Sequence, residues 1–119
     1  MITEIKLKDF LNINDDDVPQ CETNQYGVTR PQYEVTIWRD GYKYLNIFAL
    51  YKNGNWYFNP SWSTSTAGGS GYPSEKYWEP TTTTKHDIIK YVLDLRELEY
   101  FNKNEVLNAI AEARQMSLF

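Results

Sequence analysis

An α+β domain is what this sequence predicts: an antiparallel β-meander of three strands, or four, packed against two C-terminal helices. Three observations carry the prediction. Tyr33, Val35 and Ile37 alternate with Glu34, Thr36 and Trp38, the period of a strand with one buried face. The dipeptides Asp40-Gly41 and Asn53-Gly54 mark two tight hairpin turns about thirteen residues apart. Beyond Thr84, apolar residues recur at helical spacing.

At the N-terminus, Ile2, Ile5, Leu7, Phe10, Leu11 and Ile13 suit either a short strand or an amphipathic helical stretch ending near Asn12, and periodicity alone does not choose. Residues 14–31, with the acidic run Asp15-Asp16-Asp17, read as mostly loop. The first meander strand starts at Tyr33. The second runs from Tyr42 to about Tyr51, with Leu45, Ile47 and Ala49 on one face and Tyr44, Phe48 and Leu50 on the other, so both faces are expected to be covered. The third runs from Asn55 through Trp62. Pro60 lacks an amide hydrogen, which places this strand at an edge or gives it a bulge, and such an edge could accept a partner strand.

Residues 61–74 are small and glycine-rich, the composition of a surface loop. Tyr77, Trp78 and Pro80 restore bulk before Thr81–Thr84, where a short extended segment is expected. Thr84-Lys85-His86-Asp87 fits the capping box that opens a helix. Ile88, Ile89, Val92, Leu95 and Leu98 then form its apolar face, with Lys90, Asp94 and Glu97 outward. Asn102-Lys103-Asn104 breaks it, and a second helix from about Asn104 to Arg114 buries Val106, Leu107, Ile110 and Ala113.

With 119 residues the chain fits one domain, spanning residues 1–114, and can bury a core without metal or disulfide staples. No apolar run approaches a membrane span and the first residues lack a signal peptide's pattern, so the expected setting is the cytoplasm, with no membrane partner. A single cysteine, Cys21, excludes an internal disulfide and a cysteine-rich zinc site. The net charge of −4 argues against direct non-specific nucleic-acid binding.

No catalytic set emerges, and a non-enzymatic protein without cofactor or metal is expected. Gly68-Gly69-Ser70-Gly71 matches neither phosphate-loop spacing. His86 is the only histidine and sits where a helix dipole disfavours its cation. The aspartate triplet lacks the alternation and closing glutamate of a calcium loop, and the hydroxyls of residues 61–66 lack an assignable base. Aromatic residues reach 16% of the chain, with ten tyrosines and four tryptophans. Trp38, Trp56, Trp62 and Trp78 could line a groove for a ligand, a peptide or a single strand, although in a small β-rich domain aromatics chiefly supply core volume. Basic neighbours such as Trp38-Arg39 and Tyr42-Lys43-Tyr44 could stack bases, against the acidic balance of the chain.

The last five residues, Gln115-Met116-Ser117-Leu118-Phe119, carry the sharpest signal. They resemble the sliding-clamp-binding motif of bacterial replication and repair proteins: glutamine, an aliphatic residue, a small or acidic residue, leucine and phenylalanine. The resemblance covers this peptide and no more of the chain. It implies that Leu118 and Phe119 fill an apolar pocket, Gln115 fixes register by hydrogen bonding, and Met116 lies over the rim. It further implies a small adaptor or regulator, of the kind encoded by phages and mobile elements, whose partner is the bacterial sliding clamp. The structural reading of residues 115–119 is a terminus folded back on the last helical turn. Two other functions fit the sequence: an aromatic-lined binding module around Trp38, Trp56, Trp62 and Trp78 with a structural terminus, or an inhibitor of a host defence protein acting through acidic surface.

Overall fold

Strand β4 (Tyr33–Asp40) pairs antiparallel with β5 (Lys43–Lys52), and β5 pairs antiparallel with β6 (Asn55–Ser63), in a computed structural model that describes residues 2–69 and 81–116. This is the expected meander. Its second turn shows why the sequence encodes it: Asn53 and Gly54 both adopt positive φ, 54° and 78°, as a two-residue turn matched to strand twist requires.

The sheet is wider than three or four antiparallel strands, and this corrects the expectation. A strand β1 (Thr3–Lys6) lies parallel to β4, from Thr3 against Tyr33 to Lys6 against Thr36. On the far side, β7 (Gly68–Gly69) and β8 (Thr81–Thr82) both pair with β6, giving six strands among the described residues in the order β1-β4-β5-β6-β7 with β8 also on β6. The N-terminal ambiguity resolves as strand followed by helix. After β1 the chain turns into α1 (Leu7–Leu11), which buries Leu7, Phe10 and Leu11 and ends at Asn12.

Residues 14–31 contain a 3-10 turn at Asp15–Asp17 and a small ribbon of β2 (Glu22–Thr23) on β3 (Thr29–Arg30). Gln32, buried just before β4, anchors this excursion. Its Nε2 amide hydrogens donate to the carbonyls of Pro19 and Tyr51, and its Oε1 accepts from the Tyr51 amide, all at 2.9 Å. The side chain thus stands in for a strand neighbour at the end of β5.

Pro60 sits where its missing amide does least harm. β8 pairs with Trp56 and Tyr57, β7 pairs with Trp62 and Ser63, and Pro60 falls in the gap between them. The start of the expected loop is a hairpin instead: the Thr64 amide donates to the Ala67 carbonyl at 2.8 Å and the chain returns as β7. Gly69 is required there by close approach, since a Cβ would lie 2.8 Å from the Trp62 indole nitrogen. The remainder of the loop and the segment through Pro80 lie outside the described residues.

The helical region is more broken than one helix from Thr84 to Leu98. A 3-10 turn at Lys85–Asp87 leads into α2 (Ile88–Leu93), and a second 3-10 turn spans Arg96–Tyr100. The capping box does not form, because Thr84 makes no side-chain cap and Asp87 instead accepts a 2.5 Å bond from the Thr82 hydroxyl. Helix α3 (Lys103–Met116) begins as expected, with Asn102 Oδ1 accepting from the Glu105 amide at 3.1 Å.

The helices lie on one face of the sheet over Tyr33, Val35, Ile37, Leu45, Ile47, Ala49, Trp56 and Phe58, which with Leu7, Phe10, Leu11, Ile88, Val92, Leu98, Val106, Ile110 and Ala113 make the main core. Leu107 stays exposed rather than joining it. On the opposite face, among the described residues, Phe48 and Leu50 form a small buried apolar cluster, flanked by Ile2, Cys21 and Tyr57.

Candidate functional site

Helix α3 delivers the C-terminal peptide. Its buried stripe is Val106, Ile110 and Ala113, spaced four and three residues apart so that all face the sheet. Ala113 is the last described residue in the core. Arg114 and Gln115 beyond it are exposed, and Gln115 lies within the helix about 200° around the axis from Ala113. Met116 closes α3, while Ser117, Leu118 and Phe119 lie outside the described residues.

Three of the four tryptophans, Trp38, Trp56 and Trp62, lie among the described residues, on the helix-covered side of the sheet. Trp56 is fully buried, with ring centroids 5.2 Å from Phe10 and 4.7 Å from Tyr51, and has no surface to offer a ligand. Trp38 was expected on the face opposite Ile37. A β-bulge between Thr36 and Trp38 brings Trp38 into register with Leu45 on the helix-covered face, where it meets Phe101 edge-on at 5.7 Å. Trp62 stacks on Tyr100 at 5.1 Å and 27°. Trp38 and Trp62 are therefore half-buried under the 3-10 segment around Tyr100 and Phe101, where they hold that segment to the sheet. Trp78 lies outside the described residues.

Lys85 is a site residue that reading the sequence missed. It is only 7% exposed, its Nζ has no hydrogen-bond acceptor among the described residues, and it lies 5.9 Å from the centroid of the Phe10 ring. Burial pushes its pKa down, opposed by the nearby Asp15 carboxylate. The indole Nε1 of Trp56 is also buried without an acceptor, so two unpaired donors border the same Phe10 ring. A signal was available: Lys85, Ile88 and Val92 fall at i, i+3 and i+7, which places the lysine on the buried stripe of α2.

The opposite flank of α2 is open. Asp87, Lys90, Tyr91, Asp94 and Leu95 line a groove of about 460 Å³ together with Phe58 and Thr82. Tyr91 packs on Phe58 at 5.5 Å, and burial, aided by the negative charge of Glu97, raises its pKa. Cys21 is half-buried in a separate hollow of about 400 Å³ beside Pro19, Tyr51 and Lys52. The Thr64 hydroxyl is committed to its own turn, donating to the Ala67 carbonyl and accepting from the Ala67 amide at 3.1 Å. Among the described residues, no three His, Cys, Asp or Glu side chains group as metal ligands, and no helix is long and apolar enough to cross a membrane.

No protein-family model matches this chain, and no curated protein or solved structure gives a significant match.

Proposed function

We propose that the protein is a small non-enzymatic cytoplasmic adaptor that docks on a bacterial DNA sliding clamp through Gln115, Met116, Leu118 and Phe119. The motif itself carries the reading, and one structural observation supports it. The described core closes at Ala113, and the register residue Gln115 is exposed on the far side of α3 from the buried stripe. Engaging Gln115 therefore disturbs no core contact of the domain. A chain of net charge −4 reaches DNA more readily through a protein partner than by its own charge.

Titration calorimetry of the intact chain against a purified bacterial sliding clamp tests the proposal, with a Leu118→Ala/Phe119→Ala variant beside it. Binding of micromolar order is expected for the wild type and none for the variant, with unchanged circular dichroism. A folded wild type that does not bind refutes the proposal.

A further inference from the structure

We propose that the outer edge of β1 is a self-association surface, on which a second copy of this chain adds its own β1 antiparallel and continues the sheet across a two-fold axis. This surface does not involve the C-terminal peptide, so it and clamp docking stand or fall separately. β1 is the first strand in the sheet order, and among the described residues no strand pairs with its outer edge. The other side of the sheet is unlike it, because β7 and β8 both lie along the flank of β6, with Pro60 between them.

The backbone of β1 fixes which residues a neighbour could meet. The Thr3 amide donates to the Gln32 carbonyl at 2.9 Å, so the amide and carbonyl of Thr3, and two residues on those of Ile5, point towards β4. Those of Glu4 and Lys6 therefore point outward. An antiparallel neighbour bonds through outward-pointing residues, which leaves three two-fold registers within β1: Glu4 against Glu4, Lys6 against Lys6, or Glu4 against Lys6.

Side-chain charge selects among them. Glu4 and Lys6 are both exposed and, two residues apart, stand on the same face of the sheet. The first two registers set like charges opposite each other. The third sets each Glu4 opposite the Lys6 of the second copy, twice over, with the axis passing beside Ile5. Charges on an edge strand ordinarily keep other strands away, but opposite charges two residues apart are complementary to their own two-fold copy. Each Lys6 amide then donates to a Glu4 carbonyl and each Glu4 amide to a Lys6 carbonyl. At the axis the two Ile5 side chains form the close, non-hydrogen-bonded pair, on the face where Ile5, half-buried, already packs against the main core.

Sedimentation equilibrium of the full chain tests this surface. The wild type is expected to rise from the 14.0 kDa monomer towards twice that mass, with a dissociation constant below about 1 mM. Glu4→Lys or Lys6→Glu alone makes every facing pair like-charged and is expected to weaken association about tenfold or more. An equimolar mixture of these two variants, and the double variant Glu4→Lys/Lys6→Glu, restore opposite charges and are expected to associate as the wild type does. Rescue by mixing also shows that each single variant is folded. Glu4→Pro, which removes an outward amide and no bond to β4, is expected to abolish association. A wild type that stays monomeric up to about 1 mM overturns the proposal. So does association that the single variants leave unchanged, or a loss that neither the mixture nor the double variant restores.

Discussion

The two faces of the central sheet are built from the same strands yet held by different forces. The helix-covered face is an aromatic and aliphatic core in which Phe10, Trp56, Tyr33 and Tyr51 interlock at centroid distances of 4.7–6.4 Å. The opposite face joins Phe48 and Leu50 to buried polar groups, among them Ser61 and Asn46, whose Nδ2 donates to Glu34 at 2.7 Å. β5 is buried from Leu45 to Leu50, so it contributes to both faces at once. The lesson is that one face draws its stability from area removed from water, the other in larger part from polar groups that must stay paired.

The sharpest way to break this contrast is Phe10→Ala, which empties the centre of the aromatic face. A loss of about 3–5 kcal/mol is expected from the cavity and the lost ring contacts, read as a lowered midpoint in denaturant unfolding. A smaller destabilisation would mean that the four rings repack around the gap.

Lys85→Met probes the buried amine set into that face. Deleting a buried amine without an acceptor, while keeping most of its volume, is expected to stabilise the fold by about 1–2 kcal/mol. Its pH signature has a definite sign. The folded-state pKa of Lys85 lies below the ordinary 10.5, so between those values the unfolded chain binds more protons and wild-type stability rises with pH. Unfolding measured across the alkaline approach to 10.5 should show that rise in the wild type and a flatter profile in Lys85→Met. If the two profiles rise equally, another group is responsible.

Tyr91 and Tyr33 give the opposite slope. Both phenols have folded pKa values raised above 10.0 by burial, so stability falls as pH climbs past 10 and the unfolded chain loses its protons first. Tyr91→Phe should reduce this alkaline loss, and an unchanged profile would remove Tyr91 from the account.

On the opposite face, Asn46→Ala is expected to cost about 1 kcal/mol. It deletes the Nδ2 donor to Glu34, but it also removes the Asn46 Oδ1, which is buried without a donor of its own. A loss approaching that of Phe10→Ala would show that the polar face contributes as much as the aromatic one.

The meander was legible because its signals are local. Asn53-Gly54 fixes its own turn through two positive φ values, and the alternation from Tyr33 to Ile37 needs no distant partner. β1 was not legible as a parallel strand, since Thr3 finds Tyr33 thirty positions later and four residues carry too little pattern. Trp38 was assigned to the wrong face because a bulge shifts the period by one residue. The capping box failed because Thr82, two residues ahead of Thr84, bonds Asp87 first. Of the candidate site, Gln115 is exposed near the end of α3, where the helix reaches two residues beyond the expected Arg114. Of the aromatic residues named for a groove, Trp56 is core and Trp38 and Trp62 pack against Phe101 and Tyr100, a distinction that composition does not make because it counts tryptophans without saying which rings face one another.

The parallel pairing of β1 with β4 also orders the assembly of the chain. The residues of β1 have no sheet partner until Tyr33–Thr36 follow them in the chain, whereas β4, β5 and β6 can zip together through short turns. β1 can join the sheet only once β4 is present, and α1, which carries Phe10 into the core, follows β1 directly in the chain.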